Sequence, residues 1–149
     1  MDRIDRALID LLEKDCRVSN VLLAERAGIS ASSCWRRIKA LEEQGVILRY
    51  VAVTDPAAMG LQFEAMVHVQ LRRHDSAALR QFIEAVRQRA EVIECFATTG
   101  QADYHLRVLC ESIEAYNEFL ENFLFLQSAV QSAHTNVVLR HIKSPGRML

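Results

Sequence analysis

The sequence of 149 residues lacks the features that mark most enzymes and membrane proteins. Cys16, Cys34, Cys95 and Cys110 stand 18, 61 and 15 positions apart, so no Cys-x-x-Cys pair offers a zinc or dithiol site and all four are expected as buried thiols. There is no nucleophile elbow, phosphate loop or paired-carboxylate arrangement, and no catalytic residue, metal ligand or cofactor is expected. No apolar run approaches membrane-spanning length. The charged opening Met1-Asp2-Arg3-Ile4-Asp5-Arg6 is unlike a secretory segment, so the setting predicted is the reduced cytoplasm, with no membrane partner. Net charge is also scarce: nine Lys/Arg face eight Asp/Glu in the first fifty residues, and nine face eleven in the rest. A polycation that coats nucleic acid indiscriminately is excluded, whereas a few cations gathered on one face are not.

What is present is most distinctive over residues 19–45. Ser19 can cap one helix, Gly28 can supply a left-handed turn, and Ser30 can cap a second helix that stops at Gly45. Two capped helices joined by a tight glycine turn predict a helix-turn-helix. Ahead of them Ile4, Leu8, Leu11 and Leu12 form the stripe of a first helix, opened by Asp2 or Asp5. The second helix offers Leu23, Ala24 and Ala27 to the core, the third Cys34, Ile38 and Leu41. After the third helix the β-branched stretch 46–53 reads as a wing strand.

Thr54-Asp55-Pro56 and the weakly patterned residues behind it predict a junction. Phe63, Ala65, Val67, Val69 and Leu71 then alternate with polar residues, a half-buried strand. A helix opens at Ser76 with Leu79, Phe82, Ile83 and Val86. Strands over 92–98 and 104–110 flank the turn Gly100-Gln101-Ala102-Asp103. A helix opening at Ser112 carries Tyr116, Phe119, Leu120, Phe123 and Leu124, and a strand is predicted over 130–143. The order βαββαβ predicts a ferredoxin-like sheet with both helices on one face. Phe63, Val92, Phe96 and Val138 suggest an apolar second face covered by another copy of the chain. The fold class is therefore α+β: a helix-turn-helix domain over 1–53, a linker over 54–61, the βαββαβ domain over 62–143 and a tail over 144–149.

Rotation of about 100° per residue, with Cys34 facing the core, turns Ser32, Arg36, Lys39 and Glu43 outward, with Ser33 and Arg37 on one flank and Trp35 on the other. Arg36 is the first candidate for a guanine edge, while the serines suit phosphates or short base contacts. The competing view is a solvated face, with Lys39 partly neutralised by Glu43. Arg37 can equally pair with an acid of the first helix, and Trp35 is expected against a neighbouring helix. In the turn, backbone N–H groups can meet a carboxylate and Asp103 an ammonium group; the alternative is that Asp103 caps its own hairpin and Gly100 relieves a positive φ. His68, His74, His105, His134 and His141 show no helical ligand spacing and are expected at the solvent side or at an interface.

The three-helix reader, the Asp-Pro linker and the βαββαβ half together resemble the Lrp/AsnC family of bacterial regulators. The motifs are Ile4-Asp5-Arg6, Ser30-x-x-x-Cys34-x-x-Arg37-Ile38, Leu41-Glu42-x-x-Gly45-Val46-Ile47 and Gly100-x-x-Asp103-Tyr104. The resemblance implies a winged helix-turn-helix that binds double-stranded DNA, with contacts from Ser30, Ser32, Ser33, Trp35, Arg36, Arg37 and Lys39. It also implies a C-terminal domain for the regulation of amino-acid metabolism, ACT-like in form. This half would sense a small amino acid through Thr99, Gly100, Gln101, Ala102, Asp103 and Tyr104, in a homodimer that assembles to an octamer on the nucleoid. Two departures stand out: Ser30-Ala31-Ser32-Ser33 replaces the usual Ser-x-Thr-Pro, and Gln101 stands where an acid is common. Siroheme decarboxylases resemble the same architecture, but Glu94-Cys95-Phe96-Ala97-Thr98-Thr99-Gly100 lacks their histidine-, tyrosine- and arginine-rich segment.

Overall fold

The computed structural model describes residues 1–72 and 76–143; His74 and the tail over 144–149 lie outside them. The chain divides into two compact units, one holding Met1–Val53 and the other Thr54–His141.

The first unit is three helices, α1 (Arg3–Lys14), α2 (Asn20–Ala27) and α3 (Ala31–Glu43). Each begins where a side-chain oxygen satisfies amide groups that the first turn leaves without partners. Asp2 accepts from the Ile4 and Asp5 amides while Asp5 accepts from the Asp2 amide, a reciprocal capping box. Ser19 accepts from the Leu22 amide and Ser30 from the Ser33 amide. Gly28 closes α2 at φ 68°, ψ 35°, the left-handed region where a Cβ is strained, and this reverses the chain between α2 and α3. The stripes converge on a small core of Leu8, Leu23, Ala24, Cys34 and Ile38, with Ile4, Leu11, Leu12 and Ile47 against it.

No strand forms over residues 46–53, where a wing strand was expected. The Val46 and Ile47 amides both donate to the Leu41 carbonyl, which finishes the end of α3. Beyond them the backbone finds no ladder partner among the described residues, and β propensity without a partner makes no strand. Leu48 is accordingly 86% exposed. Tyr50 is tied back to α3 by its hydroxyl, which donates to Glu42 Oε1 at 2.9 Å, and burial followed by that carboxylate pushes the phenol up to about 12.

The second unit opens with a 3-10 turn at Ala57–Met59 and continues as β1 (Phe63–Leu71), α4 (Ser76–Arg87), β2 (Val92–Ala97), β3 (Tyr104–Cys110), α5 (Ile113–Asn122) and β4 (Val130–Val137). The sheet order is β2-β3-β1-β4, antiparallel throughout, so βαββαβ closes as the split pattern predicts. Ala65, Val67 and Val69 of β1, with Leu106 and Val108 of β3, face α4 and α5. There they meet Phe82, Val86, Tyr116 and Phe119. Burying each large side chain is worth roughly 1.5–3 kcal/mol, so this layer dominates the unit's stability. The Tyr116 hydroxyl meets Thr135 Oγ1 at 2.5 Å, fixing α5 over β4. The last strand ends at Val137 rather than 143, because Val138 makes the final ladder bond, to the Glu64 carbonyl, where β1 begins.

The second sheet face is not the apolar surface that was expected. Phe63 and Val92 are in phase with Ala65 and Val108, so they join the helix-side core, and Phe63 packs on Tyr116 at 4.9 Å between ring centroids. The outer face carries Glu64, Met66, His68 and Gln70 from β1, with His105 and Arg107 opposite them on β3 and Ser132, His134 and Asn136 on β4. Met66, Phe96 and Val138 give it apolar character, while Leu109, opposite Glu64, is buried. The cysteines also divide: Cys34 and Cys110 are buried, with burial pushing both thiols up, while Cys16 and Cys95 are exposed rather than buried as expected.

Candidate nucleic-acid interface and effector turn

On α3 the core-facing Cys34, Ile38 and Leu41 are 0%, 8% and 3% exposed, which fixes the opposite face. Ser32, Arg36 and Lys39 lie there, all exposed, as the helical rotation requires. Arg36 has neither a hydrogen bond nor an ion pair among the described residues. Lys39 leans on Glu42 at 3.5 Å, not on Glu43; the exposed pair three residues apart holds it only weakly. Ser30 is committed to its cap and lies 3.2 Å from the Ser32 hydroxyl, so the helix start presents paired hydroxyls beside free amide groups.

Of the two flanking residues, Arg37 takes one of its two expected roles and Trp35 departs from expectation. Arg37 donates through Nη1 to Asp2 Oδ2 at 2.8 Å and to Asp5 Oδ1 at 2.7 Å, so it staples α3 to the start of α1 instead of facing a ligand. The Asp5 hydrogen bond, then that of Asp2, raises the guanidinium further. The Asp5 amide first and Arg37 next hold the Asp2 carboxyl below its usual range. Trp35 does not pack on a neighbouring helix: it is 57% exposed, a large flat side chain on the same surface as Arg36.

The turn between β2 and β3 is closed by its own polar groups. The Thr98 amide donates to the Asp103 carbonyl, the Asp103 amide to the Val69 carbonyl, and the Thr98 hydroxyl to the Ala102 carbonyl at 3.1 Å. Asp103 Oδ2 accepts from the Leu71 amide at 2.7 Å, which engages one carboxylate oxygen in tying β1 to the turn. Gly100 sits at φ 128°, a conformation that side chains avoid, with open space where a Cβ would point. Thr99, Gly100 and Gln101 are exposed and Ala102 and Tyr104 half-buried; the ring of Tyr104 packs edge-on against Phe82 at 5.5 Å. The arrangement is a preformed rim of backbone with one spare carboxylate oxygen, too shallow by itself to enclose a ligand.

Among the described residues no group of three or more His, Cys, Asp or Glu side chains is arranged to hold a metal ion, and no helix is long and apolar enough to cross a membrane. The histidines nevertheless gather: His68 lies directly opposite His105 on one side and His134 on the other. Strand register brings them together, and no spacing within one element betrays it. His141 lies beyond the last strand and meets Glu64 Oε2 at 2.7 Å.

Residues 64–148 match the family model of the Lrp/AsnC ligand binding domain, and residues 1–47 match that of a winged helix-turn-helix DNA-binding domain. The chain belongs to the Lrp/AsnC family. It is 34% identical to the leucine-responsive regulatory proteins of Klebsiella pneumoniae and Escherichia coli K12, over all of its length and 91% of theirs. Among solved structures it resembles a transcriptional regulator of Neisseria meningitidis in complex with L-Met, with a TM-score of 0.94 at 34% identity, over 97% of this chain and 94% of that one. An AsnC family regulator of Agrobacterium tumefaciens matches with a TM-score of 0.92 at 32% identity, over 100% and 97%. This Lrp/AsnC member is thus a transcriptional regulator with a DNA-binding and an effector-binding domain. The siroheme decarboxylase alternative finds no support.

Proposed function

We propose that this regulator reads specific duplex DNA through Ser32, Arg36 and Lys39, with Ser30, Ser33 and Trp35 at the edge of the contact, and that an amino acid bound at residues 99–104 sets its response. The observation that carries the reading is the free, exposed Arg36 at the centre of the α3 face whose opposite side is locked into the core. An arginine so placed can hydrogen-bond both acceptors of a guanine edge in the major groove. Arg37 supports the reader from behind.

The α-amino acid class is supported by the L-Met bound to the Neisseria regulator, and by a turn with amide donors at one end and the spare Asp103 oxygen at the other. A second subunit supplies the missing wall, since a lone hairpin encloses too little. The assembly is a homodimer that builds to an octamer on the bacterial nucleoid, and the amino acid acts through its different affinity for two assembled states.

The test is a selection of operators from random duplex DNA, followed by titration of wild type and Arg36→Ala, with a thermal-shift screen of the twenty amino acids alongside. A folded Arg36→Ala protein with unaltered affinity and sequence preference overturns the reading face. A screen in which no amino acid raises the melting temperature overturns the effector class.

A further inference from the structure

Three imidazoles cross the centre of the outer sheet face in one row, His105 on β3, His68 on β1 and His134 on β4. His68 Nδ1 lies 2.6 Å from His105 Nδ1, and the Asn136 amide nitrogen lies 3.1 Å from His68 Nε2. An amide nitrogen only donates, so His68 Nε2 accepts and carries no proton. The single proton of a neutral His68 is then on Nδ1 and is donated to His105, whose own proton is on Nε2. That donor chain, Asn136 to His68 to His105, is the arrangement of two neutral rings. A first proton, at His68 Nε2, makes the Asn136 amide turn its oxygen to the ring, and a second, at His105 Nδ1, sets two N–H groups facing each other across 2.6 Å.

The charged groups of the same face do not relieve that conflict. Glu64, on β1, is bound by Arg107 Nε at 2.6 Å and by His141 at 2.7 Å. Arg107, on β3, also lies 3.7 Å from Glu94 of β2, and Phe96 of β2 stands opposite His105. Asp103, two positions before His105, has one oxygen on the Leu71 amide. β4 adds no acid over Val130–Val137, and Gln70 is paired with Ser132 at 3.1 Å. Burial first, then the charges His105 and His134 would carry, depress the His68 imidazole below its ordinary range.

This face suits a second copy of the chain at neutral pH. Most of its polar groups pair within the face, Glu64 with Arg107 and His141, Gln70 with Ser132, and His68 with Asn136 and His105, while exposed Phe96 and half-buried Met66 and Val138 supply apolar contact. Its fixed charges, Arg107 against Glu64 and Glu94, leave a single net negative charge, so two identical faces meeting about a two-fold axis repel little. With the row protonated, each face turns cationic and the same approach sets like charges together.

We propose that the row of His105, His68 and His134 is a proton-operated switch on self-association, in which two copies join through the outer sheet face while the row is neutral and separate when it is charged. The proposal rests on the assembly reading given above. It adds acidity as an input separate from the amino acid, on the sheet face and not in the turn.

The experiment is a dilution series of the full chain by sedimentation or light scattering at about pH 7.5 and about pH 5.5, with far-UV circular dichroism to verify folding. The wild-type dissociation constant is expected to rise about tenfold or more on acidification. Combined His68→Gln, His105→Gln and His134→Gln should flatten that response. His134 is exposed, so His134→Lys leaves the fold intact and should weaken association at neutral pH as acid does in wild type. A wild-type dimer of equal strength at both pH values overturns the switch and leaves the assembly reading standing. Full pH response in the triple variant, or no effect of His134→Lys, also overturns it. A wild-type monomer at neutral pH overturns the switch and the assembly reading together.

Discussion

The two units of this regulator are specified in different ways. In the reader every boundary is local: Asp2, Ser19 and Ser30 cap helices two or three residues away, and Gly28 turns the chain at the residue where it sits. In the effector unit the decisive relations are remote, such as His68 with His105, Glu64 with Arg107 and Leu71 with Asp103. Local hydrogen bonds to a helix start are legible from spacing, whereas cross-strand partners depend on register. The reader has only a small core, while the sheet unit buries Phe82, Tyr116, Phe119 and Phe123 in one layer. The DNA-binding part has the smaller core and is the more locally encoded, and the effector-binding part is built from remote pairings.

The largest test of that contrast removes one core side chain from each unit. Phe82→Ala should cost about 3–5 kcal/mol and Leu8→Ala about 2–5 kcal/mol, both being almost wholly buried. Trp35, the only tryptophan, sits in the reader and reports on it by fluorescence, while far-UV circular dichroism follows the whole chain. In urea, Leu8→Ala should bring the Trp35 transition well ahead of the loss of sheet signal, and Phe82→Ala should reverse that order. Coincident transitions in both variants would mean that the two units unfold as one.

Next in size is Arg36→Ala, expected to cost about 1–3 kcal/mol of discrimination between the selected operator and a single-base variant, measured by competition binding at fixed salt. Arg37→Ala should behave differently, lowering the thermal stability of the reader and weakening all sequences in parallel. In wild type that staple is also acid-sensitive. The folded Asp2 carboxyl lies below its unfolded value, so its contribution is complete above that value and disappears as pH falls through the folded one. Arg37→Ala should lose only the guanidinium's share of this acid dependence, since the Asp5 amide still holds Asp2 down, and an Arg37→Ala protein that changed operator preference would return Arg37 to the contact surface.

Smaller, and confined to the second unit, is the effect of Asp103→Asn. The amide oxygen of asparagine can still accept from the Leu71 amide, so the hairpin should keep its melting temperature to within a few degrees. The charge is gone, so calorimetric affinity for the best amino acid of the screen should fall about tenfold or more. Asp103→Ala should lose both. Equal loss of stability in Asn and Ala variants would make Asp103 a turn cap alone, with the ligand held elsewhere.

Among the candidate contact residues, legibility followed the same division. Helical rotation about the core-facing Cys34 fixed which side chains share the Arg36 face, since one buried position sets the phase of a short helix. It left Arg37 open between DNA and Asp5, because a flank position faces whatever the next helix brings near, and α1 brings two carboxylates. It misjudged Trp35, whose burial depends on a neighbour that is absent. The strand expected over 46–53 does not form for a related reason: those residues have the composition of a strand, but a strand exists only with a partner.

By itself the sequence determined the three capped helices, the glycine turn, the βαββαβ order and the polar face of α3, because caps, turns and periodicity act within a few residues. It also carried the motifs that mark the family. Tertiary structure alone decided which face of the sheet became the core, that Phe63 and Val92 joined it, that Arg37 became a staple, and that three histidines from distant strands came to lie side by side. Those outcomes turn on strand register, in which one residue of slip exchanges the two faces of a strand. Register is fixed by the summed packing of α4 and α5 over Ala65, Val67 and Val69, a sum that no single stretch of sequence contains.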